Sequence, residues 1–331
     1  MIPVQSRTEV ETMDRALPRP LDWPWRRLAS AVCLALIVAW WAWLQGYDAF
    51  PHWIDAPAFW RIRLDHTLYA APVGSEGAFL YSPLAAQVLA PFGLLPFPVF
   101  YALLSAINLT ALVWMTGPIL GLGLLLFYPP IASEVGTGNV NLLLGAAIVA
   151  SFRHPGWWAV PILTKVTPGV GLLWYAFRRE WRAFGVGLAV TVGLVAVSAL
   201  IAPDLWVAWG ERLMAGGVTD PRGAFSEIPL WARLMVAVGL VWLAARIDRP
   251  ALVVCASVVA LPVIWLNALA MLVAVIPLWR RVRPAAIRVG AGLRQRPIPD
   301  RHPRLTTGRP GDVEEQPDHE HLSRSRRVLH D

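Results

Sequence analysis

Long apolar runs, separated by short polar stretches, set the pattern of this chain. No Asp, Glu, Lys or Arg occurs from Leu28 to Tyr47, Gly77 to Ser133, Val135 to Phe152, Val166 to Phe177, Ala183 to Pro203 or Pro250 to Trp279. A membrane-crossing helix needs about 20 mostly apolar residues. The runs at 28–47 and 183–203 therefore predict single spans, and the run at 77–133 predicts two or three crossings. The segment "LWARLMVAVGLVWLAA" after Pro229 predicts a helix returning across the bilayer. Together these patterns predict an all-α polytopic integral membrane protein.

Two runs carry breakers at mid-length and basic residues at both ends. Pro155–Phe177 contains Pro161 and "TPG" at 167–169, and Pro250–Trp279 contains Pro262 with Trp265 and Asn267 near its centre. Read as one helix, 155–177 is just long enough to span; basic flanks on both sides instead place both ends on one face, and this favours a re-entrant hairpin for each run. Broken backbone at membrane depth is tolerated where protein or a cavity covers it. The portion "APAFWRIRLDHTLY", residues 56–69, predicts a short helix in the membrane interface.

Composition supports this picture: 56% of residues are hydrophobic and 15% charged. The net charge of +7 gathers at span ends (Arg26, Arg27; Arg178, Arg179, Arg182; Arg280, Arg281, Arg283). That is the pattern of cytoplasmic flanks, not of a nucleic-acid platform. It predicts a disordered cytoplasmic arm at 1–27, a transmembrane domain at 28–280 and a disordered, basic cytoplasmic tail at 281–331. Outer loops fall near 47–80 and 204–229. The run 28–46 lacks an A-x-A cleavage site and reads as an uncleaved signal anchor. Cys33 and Cys255 lie in apolar runs and read as small core residues. The "DHEH" at 318–321 reads as a solvated charge run.

Chemistry enters where polar residues interrupt the pattern. Asp55, among aromatics at the outer face, is placed to act as a general base on a hydroxyl group; it also suits a helix cap, and the two roles are compatible. "GTGNVN" at 136–141 opens an apolar helix whose N–H groups suit an anion or a sugar hydroxyl, or a plain cap. Lys165 is the one lysine among 29 basic residues, and it lies in an uncharged run. An ammonium at membrane depth needs an anionic partner or a wet cavity. No acid in the flanking spans presents itself as a mate. HExxH, paired CxxC, GxSxG and Walker signatures are absent, which argues against the corresponding hydrolases and ATPases.

In order and spacing these pieces resemble glycosyltransferase family 87, the polyprenol-phosphate-mannose-dependent mannosyltransferases of actinobacterial envelopes, with a GT-C fold. The resemblance rests on Asp55, "LY" at 68–69, "YSP" at 81–83, "YPPIASEVGTGNVN", "KVTP" at 165–168 with its arginine patch, and "LPVIWLN" at 261–267. Two positions depart from the family pattern: Asn139 stands where Gln is usual, and Asn267 stands where His is usual.

The resemblance implies an inverting transfer of a mannosyl or other glycosyl unit from a polyprenyl-phosphate donor to an envelope glycolipid or glycan at the outer face. Asp55 would be the base. Lys165, Arg61, Arg63 and Asn267 would hold the donor phosphate, and Tyr81, Asn139, Asn141 and Trp265 would bind substrate. Cations would serve in place of a metal, and no cofactor is expected. The partners implied are membrane lipid, the polyprenyl-phosphate sugar and the glycolipid acceptor. A non-catalytic relative that keeps the fold and binds a lipid-linked sugar is the alternative reading.

Overall fold

A computed structural model describes residues 55–72, 75, 77–215 and 223–280. The arm at 1–27, the anchor at 28–46 and the tail at 281–331 lie outside these residues. Among the described residues every extended element is helical, and β structure is limited to one isolated bridge between Ala224 and Ile264. The protein is an all-α membrane protein.

The chain enters at α1 (Asp55–Trp60), where Ala56, Pro57, Ala58 and Phe59 are buried. The helix predicted over 56–69 is thus cut to its first part and is packed inside the protein. The cause is local: the Asp65 carboxylate accepts from the Thr67 N–H at 2.8 Å, and the turn it makes competes with helix. α2 (Pro83–Leu89) begins as "YSP" suggests, with Ser82 as its cap and Pro83 in the first turn. It continues as a 3₁₀ turn over Ala90–Leu94.

α3 (Phe97–Thr116) is a full-length span of 20 residues. α4 (Pro118–Phe127) and α5 (Pro129–Thr137) together reach span length but are bent by 87°. The bend has a sequence cause: Pro129 keeps Tyr128 out of helical conformation, at φ −117° and ψ 93°. So the run at 77–133 contributes one straight span and part of a broken one. α6 (Asn141–Ser151) has 11 residues, about 16 Å of helix, and does not cross alone.

The run 155–177 folds back on itself. A 3₁₀ turn (Pro155–Trp158) leads into α7 (Ala159–Lys165), the chain breaks at Val166, and a 3₁₀ segment (Thr167–Leu172) with α8 (Leu173–Phe177) returns. The ends meet. The Tyr175 hydroxyl donates to the Ser151 carbonyl at 2.6 Å, and the Phe152 and Trp174 rings lie 5.5 Å apart. A single crossing would instead separate them by a bilayer thickness.

α9 (Trp181–Ile201) is the second full-length span, with 21 residues and an outward face of Val186, Val190, Val197 and Leu200. α10 (Pro203–Met214) occupies much of the second expected loop and packs over the first: the Arg212 guanidinium donates to the Ala71 carbonyl at 2.7 Å. α11 (Leu230–Arg246) follows. The run 250–279 also doubles back, through α12 (Ala251–Val259), a 3₁₀ segment (Leu266–Ala274) and α13 (Val275–Arg280). The Arg249 guanidinium lies 5.7 Å from the Trp279 ring centre, closing the base. Buried Arg233 of α11 donates to the Leu261 and Pro262 carbonyls, each at 2.7 Å, and so holds the break. The two hairpins touch where the Ser257 hydroxyl donates to the Pro168 carbonyl at 3.1 Å.

This path makes a topological prediction. In a Cys-free background, Ser226→Cys should react with an impermeant thiol reagent in intact cells. Arg153→Cys, Arg182→Cys and Arg246→Cys should react only after permeabilisation. Labelling of Arg153→Cys without Arg182→Cys would mean that residues 155–177 cross the bilayer once.

Candidate functional site

The "GNVN" stretch forms the link between α5 and α6. Gly138 ends α5 at φ 68°, a conformation that suits glycine. A Cβ there would lie 2.5 Å from that of Ala56, so the missing side chain is also what lets α1 approach. Asn108 of α3, fully buried, donates to the Asn139 carbonyl at 2.8 Å and fixes the link from beneath. Asp55 begins α1, directly before the Ala56 that touches Gly138. The fit of Gly138 against Ala56 therefore brings Asp55 to Asn139.

From there a chain of five polar groups runs through the site. The Asn139 amide NH₂ donates to Asp55 Oδ2 at 2.7 Å. Lys165 Nζ donates to Asn141 Oδ1 at 2.8 Å, with Asn139 Oδ1 at 3.5 Å. The Asn141 NH₂ donates in turn to Glu134 Oε2 at 2.8 Å. Both amides thus turn oxygen towards one ammonium and nitrogen towards a carboxylate. Tyr81 covers the centre: its hydroxyl lies 3.4 Å from Asn139 Oδ1, and Lys165 Nζ sits 5.9 Å from its ring centre. Burial pushes the Asp55 carboxyl above the usual carboxylate range, while the Lys165 charge and the Asn139 hydrogen bond pull the other way.

Lys165 is the last residue of α7, and Val166 after it adopts φ 52°. A β-branched residue in that region is strained by about 1–3 kcal/mol. The strain is located where the chain turns to present the lysine.

The structure brings together Asp55, Tyr81, Asn139, Asn141 and Lys165. Arg61 and Arg63 are exposed beyond the end of α1, so the positive charge in this chain of groups is Lys165. Trp265 is 42% exposed. Asn267 is buried one step away, its NH₂ donating to the Thr137 hydroxyl at 3.2 Å.

Of the two uses expected for "GTGNVN", the contacts at the start of α6 are those of a cap: Leu142 N–H donates to Glu134 Oε1 at 3.1 Å, and Val140 N–H to Asn139 Oδ1 at 2.7 Å. One expectation needs correction, because Lys165 has an acidic mate in the protein. Glu134 is fully buried one amide away. The sequence carried a signal for it, since Glu134 alone interrupts the uncharged stretch from Gly77 to Phe152. The bend at Tyr128 and the turn at Gly138 then aim it back at Asn141.

The sequence pattern of glycosyltransferase family 87 matches residues 79–294, and the chain belongs to that family. Tyr81, Glu134, Asn139, Asn141 and Lys165 fall within the match; Asp55 precedes it and joins the site through its contact with Asn139. A polyprenol-phosphate-mannose-dependent alpha-(1-2)-phosphatidylinositol mannoside mannosyltransferase of Mycobacterium tuberculosis (strain ATCC 25618 / H37Rv) is 26% identical over 275 residues, 64% of this chain and 64% of that protein. A polyprenol-phosphate-mannose-dependent alpha-(1-2)-phosphatidylinositol pentamannoside mannosyltransferase of Mycolicibacterium smegmatis (strain ATCC 700084 / mc(2)155) is 29% identical over 144 residues, 37% of this chain and 35% of that protein. The chain thus spans under two thirds of the length of the curated relatives it matches. No solved structure matches it.

Proposed function

We propose that this protein is a membrane glycosyltransferase that moves a mannosyl unit from a polyprenyl-phosphate donor to an envelope glycolipid at the outer face, with inversion. The observation that carries the reading is Asp55, held through one carboxylate oxygen by Asn139 and separated by that amide from Lys165. Its other oxygen serves as base. The acceptor hydroxyl gives its proton to Asp55 as its oxygen bonds the anomeric carbon, and the bond from that carbon to the phosphate oxygen breaks. Polyprenyl phosphate leaves with the bonding electrons. The Lys165 ammonium has three hydrogens, of which, among the described residues, Asn141 and Asn139 engage two, which leaves one for the phosphate. The lysine takes the place of a metal in neutralising that charge. The likeness to the two mannosyltransferases supports mannose as the sugar and a glycolipid as the acceptor.

The test is transfer of radiolabelled mannose from polyprenyl-phosphate-mannose to envelope lipid by purified protein in nanodiscs. The product's anomeric configuration tests inversion. The raised Asp55 carboxyl adds a pH prediction, because the base acts only when ionised. Activity should fall as pH drops through a midpoint above the ordinary aspartate value of about 3.9. A kcat/KM profile flat down to that value would remove Asp55 from the base role.

A further inference from the structure

Glu134 has no part in the transfer described above, yet it is fully buried and its two oxygens engage different partners. Oε1 accepts from Leu142 N–H at 3.1 Å, and Oε2 accepts from the Asn141 NH₂ at 2.8 Å. An amide side chain has one accepting and one donating end. With its NH₂ bound by Glu134, Asn141 must present its oxygen to Lys165, which it does at 2.8 Å. Were Asn141 reversed, its NH₂ would confront the ammonium, donor against donor.

We infer that Glu134 is a positioning residue for the donor phosphate: it fixes the direction of Asn141, which holds Lys165 Nζ in place to receive an anionic phosphoryl oxygen. The inference rests on the proposed role of Lys165. Asn139 is oriented in the same way by Asp55 at the other end. The ammonium is therefore braced from both sides by carboxylates it does not touch directly. A carboxylate one amide removed compensates the buried charge while leaving one hydrogen exposed to the ligand.

The simpler role is a cap for α6, since Leu142 is in its first turn. The two roles separate under substitution. In Glu134→Gln the new amide oxygen still accepts from Leu142 N–H, but its NH₂ meets the Asn141 NH₂. Asn141 then reverses and turns its own NH₂ towards Lys165. The double variant Glu134→Gln/Asn141→Asp moves the negative charge one residue along and restores every donor–acceptor pair. The new glutamine donates to the new aspartate, which accepts from Lys165.

The experiment measures binding of polyprenyl phosphate to the full chain in nanodiscs, together with donor and acceptor KM. Glu134→Gln should weaken polyprenyl-phosphate binding and raise donor KM by about tenfold, the loss of one hydrogen bond to a charged group. Acceptor KM should stay unchanged, and the double variant should recover most of the loss. Glu134→Gln with donor binding like wild type, or a double variant no better than the single, would overturn the inference. If Glu134→Gln does not accumulate in the membrane, the double variant decides: it must both accumulate and bind polyprenyl phosphate, or the inference fails. Lys165→Met is run in parallel. Weakened binding there with unchanged binding in Glu134→Gln defeats only the role of Glu134; unchanged binding in Lys165→Met defeats the phosphate reading itself.

Discussion

Asp55→Asn should lower mannosyl transfer by about 10² to 10⁴ while donor binding and the amount of protein in the membrane stay near wild type. The substitution keeps the size of the side chain and removes only its ability to take a proton. Asn139 can still be held, since the new amide has an oxygen to accept from the Asn139 NH₂. If Asp55 serves only to start α1, the change should be mild, because Asn and Asp favour helix starts about equally. Asn thus separates the two roles where Ala would remove both. Turnover within about threefold of wild type would end the general-base assignment, since such bases contribute far more.

The second large effect is expected at Lys165. Lys165→Met should weaken binding of polyprenyl phosphate at least about tenfold, or 1.4 kcal/mol or more, and leave acceptor affinity unchanged. Methionine fills similar space but leaves Asn139 and Asn141 presenting oxygens to an uncharged side chain. It also removes the cation that, among the described residues, lies between Asp55 and Glu134. Breaking compensated buried charge can cost about 3–5 kcal/mol of stability, so thermal unfolding in detergent must accompany the binding measurement. Lys165→Arg should restore binding only in part. The planar guanidinium is larger and presents its donors in a rigid fork, whereas Nζ sits 2.8 Å from Asn141 and beneath the Tyr81 ring. Unaltered phosphate affinity in Lys165→Met would make this lysine a structural residue.

The membrane class followed from the sequence because a bilayer imposes a length and a polarity on whatever crosses it. α3 and α9 are each long and apolar enough to cross. The broken runs announced themselves through proline and flanking arginine, and the Ser151–Tyr175 and Arg249–Trp279 contacts close both as hairpins. Lys165 stood out because an isolated intramembrane charge is expensive wherever it occurs. These properties are local, and periodicity, charge and breakers express them directly.

Tertiary structure decided which of the singled-out residues form one site. Asp55, Asn139 and Lys165 are far apart in the chain, and their meeting depends on a backbone approach at Gly138 that leaves no room for a Cβ beside Ala56. The family resemblance implied Arg61 and Arg63 as phosphate ligands, but α1 ends at Trp60 and leaves both exposed. Glu134 was visible as a lone charge without a visible purpose. Its partner could not be read from the sequence because the Pro129 bend sets the direction of α5, and the left-handed turn at Gly138 then returns Asn141 to it. Apolar pattern and charge fix what each segment must avoid. Which polar groups meet depends on bends and close contacts between segments, and those are properties of the packed chain.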